Sequence, residues 1–159
     1  MKNIYLAALL FFSLCIFSQT NSPRANKTLA DTVFEKGDIV KLPTLIYELS
    51  YPANPKTKEA LKPVADFIKK HPKIKFEIGV HTDFRGSKES NQQLAEFRAI
   101  QLYEFLVMEF GIDSEKMTYR AYGENVPLVS EEEIAKITSN EEKAKMYLLN
   151  QRTELKVLE

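Results

Sequence analysis

The chain has 159 residues with 22 basic and 22 acidic side chains, so its formal net charge is zero. This length allows one ordinary domain with additional segments, and the neutral balance argues against a broad nucleic-acid-binding face, which needs excess lysine and arginine. Because the single cysteine, Cys15, lies in the N-terminal segment, disulfides play no part in stabilising the remainder.

The N-terminal segment has the pattern of a secretory signal. Lys2 precedes an apolar run that starts at Ile4 and gives way to polar residues at Ser18. The run is shorter than a comfortable membrane span, which needs about 20 apolar residues. We therefore predict a signal peptide over residues 1–18, which exports the protein. Two alternatives stay open: a retained membrane anchor, and lipid attachment at Cys15.

The following stretch is polar and mixed in composition, and we interpret residues 19–37 as a linker or flexible arm. The folded region is predicted to begin near Asp38 and to form one domain over residues 38–159. Residues 39–49 are rich in strand-forming side chains, although Pro43 confines the first half of this strand to a sheet edge or a bulge.

A helix is predicted over residues 54–72, because Asn54 offers a capping oxygen and Pro55 suits the first helical position. Its apolar stripe has helical spacing and consists of Leu61, Val64, Ala65 and Ile68. The sequence "KIKFEIGVH" (73–81) alternates between apolar and polar residues, which predicts a half-buried strand.

A long helix is predicted from about Ser87 or Ser90 to Phe110. Gly111 is placed to end it, because glycine tolerates left-handed backbone angles. The predicted inner face of this helix consists of Ala95, Ala99, Leu102, Leu106 and Phe110.

Two further alternating segments, residues 116–123 and 151–158, predict strands, and residues 130–150 between them are interpreted as a surface insertion with some helix. The order of elements predicts an α/β fold. We expect a two-layer sandwich in which two main helices pack on one face of a small mixed β-sheet.

Charged and polar side chains converge at the corner between the strand that ends at residue 81 and the long helix. Asp83 lies on the corner, and Gly86 permits the sharp reversal of the chain. Asn91 and Arg98 leave the same side of the helix, roughly 10 Å apart along its axis, because seven residues make nearly two turns. The long side chain of Arg98 can reach back toward the helix start.

A carboxylate, an amide and a guanidinium at the start of a helix suit a zwitterion. Asp83 would hold an ammonium group, and Arg98 would hold a carboxylate through paired donors. Outside the cell membrane, the diaminopimelate of bacterial cell-wall peptides carries such a group. Structural roles are the alternative: Asp83 could cap its own loop, Arg98 could pair with a surface acid, and Asn91 could cap the helix.

The sequence "HTDFRGSKESNQQLAEFRA" (81–99) resembles the signature of OmpA-like domains, T-D-x-x-G followed by N-x-x-L-[S/A]-x-x-R-A. The residues that match it in register are Thr82, Asp83, Gly86, Asn91, Leu94, Ala95, Arg98 and Ala99. The segments "YGENVP" (122–127) and "NQRTELKV" (150–157) are similar to the G-Y-G-E-x-x-P and N-R-R-V-E segments of the same family. The family also includes peptidoglycan-associated lipoproteins and flagellar stator proteins, and the resemblance covers about residues 39–159.

The resemblance implies an α/β sandwich that binds peptidoglycan non-covalently through diaminopimelate, without a cofactor or a metal. It implies a location in the periplasm or at the periplasmic face of the outer membrane, where envelope proteins are further expected partners. The ligand-binding residues that it implies are Asp83, Arg98, Asn91, Thr82 and Arg152. In this reading Thr82 and Asn91 contribute hydrogen bonds, and Arg152 lines the pocket.

The sequence also departs from the family pattern. "YELSY" (47–51) stands where the family has F-D-x-[D/N], so that Glu48 and Ser50 occupy the polar positions, and Gln151 stands where a second arginine is common. The "YELSY" departure and the insertion at residues 130–150 favour an alternative function, an envelope scaffold or protein-interaction domain with a degenerate ligand pocket.

A wall hydrolase is a third class of function, and the sequence argues against it. The chain has no H-E-x-x-H motif and no serine elbow, and the pair formed by His81 and Asp83 supplies too few ligands for a zinc site. We therefore expect a binding protein that is not an enzyme.

Overall fold

The structure is a computed structural model that describes residues 26–42 and 55–158. Its strands are β1 Asn26–Lys27, β2 Ile39–Lys41, β3 Phe76–His81, β4 Met117–Gly123 and β5 Arg152–Val157. Its helices are α1 Pro55–Lys70, α2 Lys88–Phe110, α3 Glu131–Ala135 and α4 Asn140–Asn150, with a short 3-10 turn at Ser114–Lys116. The predicted signal peptide with Cys15, and the positions of Pro43, Glu48 and Ser50, lie outside the described residues.

The five strands form one mixed sheet in the order β1-β2-β5-β3-β4. β3 pairs with β4 in parallel and with β5 in antiparallel fashion, so that Ile78 lies between Tyr119 and Leu155. β2 pairs antiparallel with the other edge of β5. The last strand of the chain therefore lies at the centre of the sheet.

Both long helices bury their apolar stripes in a single core with the inward-facing side chains of the sheet. Phe76, Ile78 and Val80 alternate along β3, and all three are fully buried. On α2 the small residues Ala95 and Ala99 are also fully buried, which allows this helix to approach the sheet closely. The predicted two-layer α/β sandwich is thus confirmed.

α2 has a defined signal at each end. The hydroxyl of Ser87 accepts a hydrogen bond from the backbone N–H of Ser90 at 3.1 Å, which caps the first turn. Gly111 adopts a left-handed φ of +63°, and its N–H bonds back to the carbonyl of Val107 at 3.1 Å. The predicted helix is confirmed: it ends at Phe110 as expected, and its start at Lys88 lies within one turn of the predicted start at Ser87 or Ser90.

Residues 26–37 pack on the domain instead of forming a free linker. β1 pairs in parallel with β2. The ring of Phe34 meets the rings of Phe67 and His71 of the α1 region edge-on, with centroid distances of 5.3 and 5.0 Å. The polar composition of this stretch predicted a linker, because the packing on the domain depends on a few apolar side chains among many solvated ones.

The segment of residues 130–150 contains α3 and α4, in agreement with the interpretation as an excursion with some helix. Its end is tied to the preceding loop by Asn150, which is fully buried. The Asn150 amide accepts from the N–H groups of Leu128 and Val129 at 2.8 and 3.0 Å, and it donates to the Val129 carbonyl at 2.8 Å. Within residues 26–42 and 55–158, every helix is too short or too polar to cross a membrane.

Candidate ligand site

The corner after β3 is held by its neighbour in the sheet. The backbone N–H of Thr82 donates to the carbonyl of Gly123 at the end of β4, at 2.9 Å. Gly86 adopts a φ of +103°, a conformation that side chains with a Cβ rarely adopt, and the chain then enters the first turn of α2. Thr82 and Asp83 are consequently carried, both buried, to the start of the helix.

Asp83 is almost enclosed, with 3% of its side chain exposed, and its carboxylate accepts four hydrogen bonds. Oδ1 accepts from the backbone N–H of Arg85 at 2.8 Å. Oδ2 accepts from Nε and Nη2 of Arg85 at 3.0 and 2.7 Å, and from Nε2 of Gln151 at 2.7 Å. Asp83 therefore caps its own loop and also forms a forked ion pair.

Asn91 joins three parts of the site. Its side chain is buried, and Nδ2 donates to the backbone carbonyl of Asp83 at 2.9 Å and to a carboxylate oxygen of Glu124 at 2.6 Å. Because Ser87 is the N-cap, Asn91 does not cap the helix. It fixes the corner and the loop after β4 to α2 instead.

Arg98 lies seven residues after Asn91 on α2, and its side chain is half-buried. Seven residues return the helix to almost the same side, roughly 10 Å further along the axis. The structure therefore brings Asp83 and Asn91 into contact at the corner, with Thr82 next to Asp83 in the chain, and places Arg98 nearly two helical turns beyond Asn91.

Arg152 belongs to a neighbouring cluster on the sheet face that points away from α1 and α2. Its Nε donates to Glu154 at 3.0 Å, and its Nη2 donates to the carbonyl of Val126 at 3.1 Å. The other oxygen of Glu154 lies 3.2 Å from Nε2 of His81, whose ring stacks on Tyr122 at 4.6 Å. The guanidinium of Arg152 is thus used within this cluster.

Two charged groups of the site region have shifted pKa values. Burial alone would raise the pKa of Glu154, but the hydrogen bonds and charges of His81 and Arg152 outweigh it and lower this pKa below its usual range. The hydrogen bond to Asp83 raises the pKa of Arg85. Both groups therefore keep their charges in their present contacts at neutral pH.

An open groove of about 390 Å³ lies beside the corner. Its lining includes Phe84, Lys88 and Glu124, together with the acidic side chains Glu131 and Glu132. The predicted ligand-binding residues do not line this groove, and Glu124 connects it to them through its hydrogen bond with Asn91. In the part of the chain that the structure describes, no three His, Cys, Asp or Glu side chains are grouped so as to hold a metal ion.

Three residues of this site were not predicted as ligand contacts. Glu124 stands in the "YGENVP" segment that carried part of the resemblance, and Gln151 had been noted only as a departure from the family pattern. Arg85 occupies a variable position of the signature, so the sequence pattern gave no signal for it.

Comparisons with known proteins identify sequence relatives and structures that share the fold. A sequence model described as the OmpA family matches residues 48–141. Outer membrane porin F from Pseudomonas aeruginosa is 35% identical over 68 residues, which are 43% of this chain and 19% of porin F. The match therefore spans only about a fifth of that relative.

Solved structures share the fold at low sequence identity. The peptidoglycan-associated lipoprotein from Burkholderia pseudomallei is 22% identical with a TM-score of 0.51, over 75% of this chain and 88% of that chain. A periplasmic domain of Helicobacter pylori MotB is 22% identical with a TM-score of 0.57, over 84% and 85%. The cell wall anchor of the T6SS from Pseudomonas aeruginosa is 22% identical with a TM-score of 0.51, over 72% and 74%.

Proposed function

The chain belongs to the OmpA family, and from that premise we propose that it binds peptidoglycan non-covalently and anchors an envelope component to the cell wall. Among the proteins that share its fold, one is a peptidoglycan-associated lipoprotein and another is a cell wall anchor. The observation that carries the proposal is the enclosed carboxylate of Asp83 before the start of α2, next in the chain to Phe84, which lines an open groove.

The ligand group that suits this site is the zwitterionic end of diaminopimelate. Asp83 supplies the negative charge for the ammonium group, and Arg98 supplies the paired donors for the carboxylate. The hydroxyl of Thr82 supports this assignment, since it is buried and has no hydrogen-bond partner within the described residues. A buried polar atom of this kind is satisfied when a ligand supplies the missing partner.

Retention on purified sacculi tests the proposal. Each charge-assisted hydrogen bond contributes roughly 1.5–3 kcal/mol, so Asp83→Ala and Arg98→Ala should each weaken binding about tenfold to a hundredfold. Arg120→Ala is the matched control, because Arg120 is an exposed arginine of β4 whose guanidinium lies over the ring of Tyr122 and which is not one of the predicted ligand-binding residues. Undiminished retention of both site variants would refute the proposal.

The family membership also supports a place of action outside the cytoplasm. We infer export by residues 1–18 to the periplasm or the periplasmic face of the outer membrane, and binding without catalysis. Release of soluble muropeptides from sacculi by the pure protein would contradict the absence of catalysis.

A second function, that of an envelope scaffold with a degenerate pocket, is favoured by one observation. The Oδ2 atom of Asp83 already receives three donors from Arg85 and Gln151. If these contacts are permanent, the site has no room for an ammonium group, and the domain serves protein contacts only. This function predicts that wild type, Asp83→Ala and Arg98→Ala behave alike on sacculi.

A further inference from the structure

The contacts of Asp83 carry an inference about selectivity, which rests on the proposed function. We propose that Arg85 is a built-in occupant of the ammonium site, and that a ligand binds only when its own cation displaces the Arg85 guanidinium from Asp83. Arg85 thereby lowers the affinity of the site and restricts it to cationic groups.

The carboxylate of Asp83 has no acceptor capacity left at Oδ2. A carboxylate offers about four lone-pair sites on its two oxygens. Three donors, Arg85 Nε, Arg85 Nη2 and Gln151 Nε2, lie within 2.7–3.0 Å of Oδ2, and the backbone N–H of Arg85 occupies Oδ1. An ammonium group that approaches Oδ2 at hydrogen-bond distance must therefore replace one of these donors.

The Arg85 side chain is the donor that can leave. Its side chain is 59% exposed, whereas that of Asp83 is 3% exposed, so the guanidinium can turn into water without leaving a cation buried. The other two donors are held in place. The N–H that bonds Oδ1 belongs to the backbone of the turn, and the half-buried Gln151 directly precedes the central strand β5.

Only a cation can complete the exchange. If Arg85 left without a replacement, the enclosed carboxylate of Asp83 would lose its charged partner, and burying an underpaired charge is unfavourable. An incoming ammonium restores both the charge and the hydrogen bonds, whereas a neutral amide or hydroxyl restores neither in full. The ion pair therefore discriminates an amine from its acylated form.

The occupant has a second contact that keeps it near the site. The guanidinium carbon of Arg85 lies 5.2 Å from the ring centre of Tyr147 on α4. Tyr147 is beyond the range of residues 48–141 that matches the OmpA family. The segment after the matched range thus helps to hold Arg85 over Asp83.

Calorimetric titration with a synthetic stem peptide that ends in diaminopimelate tests the inference. Because the Arg85 partner of the ion pair is exposed to solvent, it reduces the binding-competent population only modestly, and Arg85→Ala should bind about three- to tenfold more tightly than wild type. Arg120→Ala removes the same charge elsewhere and should leave the affinity unchanged. The affinity of Arg85→Gln should lie between those of wild type and Arg85→Ala, and this variant replaces Arg85→Ala in the test if the alanine variant does not fold.

The outcomes separate this inference from the function on which it rests. If Arg85→Ala binds as weakly as wild type, or more weakly, while Asp83→Ala loses binding, the occupant role is overturned and the binding site stands. If wild type binds a stem peptide with an acetylated diaminopimelate amine as well as it binds the free amine, the selectivity is overturned. If neither wild type nor Arg85→Ala binds either peptide, the proposed function fails as well.

Discussion

Asp83 carries its charge where only 3% of the side chain reaches solvent, and a carboxylate in such a position requires strong donors. Arg85 and Gln151 supply them within the protein. The sequence predicted that Asp83 and Asn91 would meet at this corner, since both follow from a turn and the start of a helix. It did not predict Gln151, which is 68 positions away from Asp83 and reaches it only through the pairing of β5 with β3.

The contacts of Glu154 predict how the stability of the domain changes at acid pH. Its carboxylate is held between His81 and Arg152, which lower its pKa below the usual 4.5 despite burial. A group whose pKa is depressed in the folded state contributes stability above its unfolded pKa, and this contribution is lost as the pH falls through the folded value. Wild type should therefore lose more stability below about pH 4.5 than Glu154→Gln, as measured by urea unfolding across pH. Parallel pH profiles for the two proteins would contradict the ion-pair assignment.

At the scale of elements, β3 and α2 were predicted well because their signals are local. Alternation marked β3, and Ser87 and Gly111 marked the ends of α2. β1 escaped prediction because it has two residues, Asn26 and Lys27, and exists only through its pairing with β2. The central place of β5 is likewise a property of the sheet order, which no local pattern encodes.

Substitution of Gly123 by alanine tests how closely α2 approaches the end of β4. It has a φ of +54°, and an added Cβ would lie 2.8 Å from the side-chain oxygen of Gln92 and 3.4 Å from its Cα. Gly111 is a matched control, because its φ is +63° and nothing lies within 4 Å of an added Cβ. Gly111→Ala should destabilise the protein by about 1 kcal/mol through backbone strain alone.

Gly123→Ala should cost roughly 0.5–1.5 kcal/mol more than Gly111→Ala, because the Gln92 side chain must turn away from the new methyl group and lose its hydrogen bond to the carbonyl of Ala121. Urea unfolding of both variants measures the difference. Equal losses would mean that the contact between α2 and the end of β4 is looser than the structure indicates.

At the scale of the whole molecule, the extent of the domain differs from what the sequence suggested. A boundary at Asp38 followed from the polar composition of residues 19–37. Phe34 and β1 join part of that stretch to the fold, and a single aromatic side chain is too weak a compositional signal to reveal this. The excursion at residues 130–150 was predicted, but its contact with the site through Tyr147 was not.

Phe34→Ala tests whether residues 26–37 contribute to the stability of the domain. The ring packs against Phe67 and His71 and is partly buried, so its loss should reduce the free energy of unfolding by about 1–2 kcal/mol. Val33→Ala is the control, because the neighbouring Val33 is 69% exposed and should have almost no effect. If Phe34→Ala were as stable as Val33→Ala, residues 26–37 would not stabilise the domain and would act as a linker.

An NMR titration of the isotope-labelled protein with free diaminopimelate tests whether the corner of Asp83 receives the dipolar end of this ligand. We expect saturable shifts of the amide signals of Thr82, Asp83, Arg85 and Asn91, and no such shifts in Asp83→Ala. Unchanged signals at these residues at saturating ligand concentrations would contradict the claim and would favour the scaffold function.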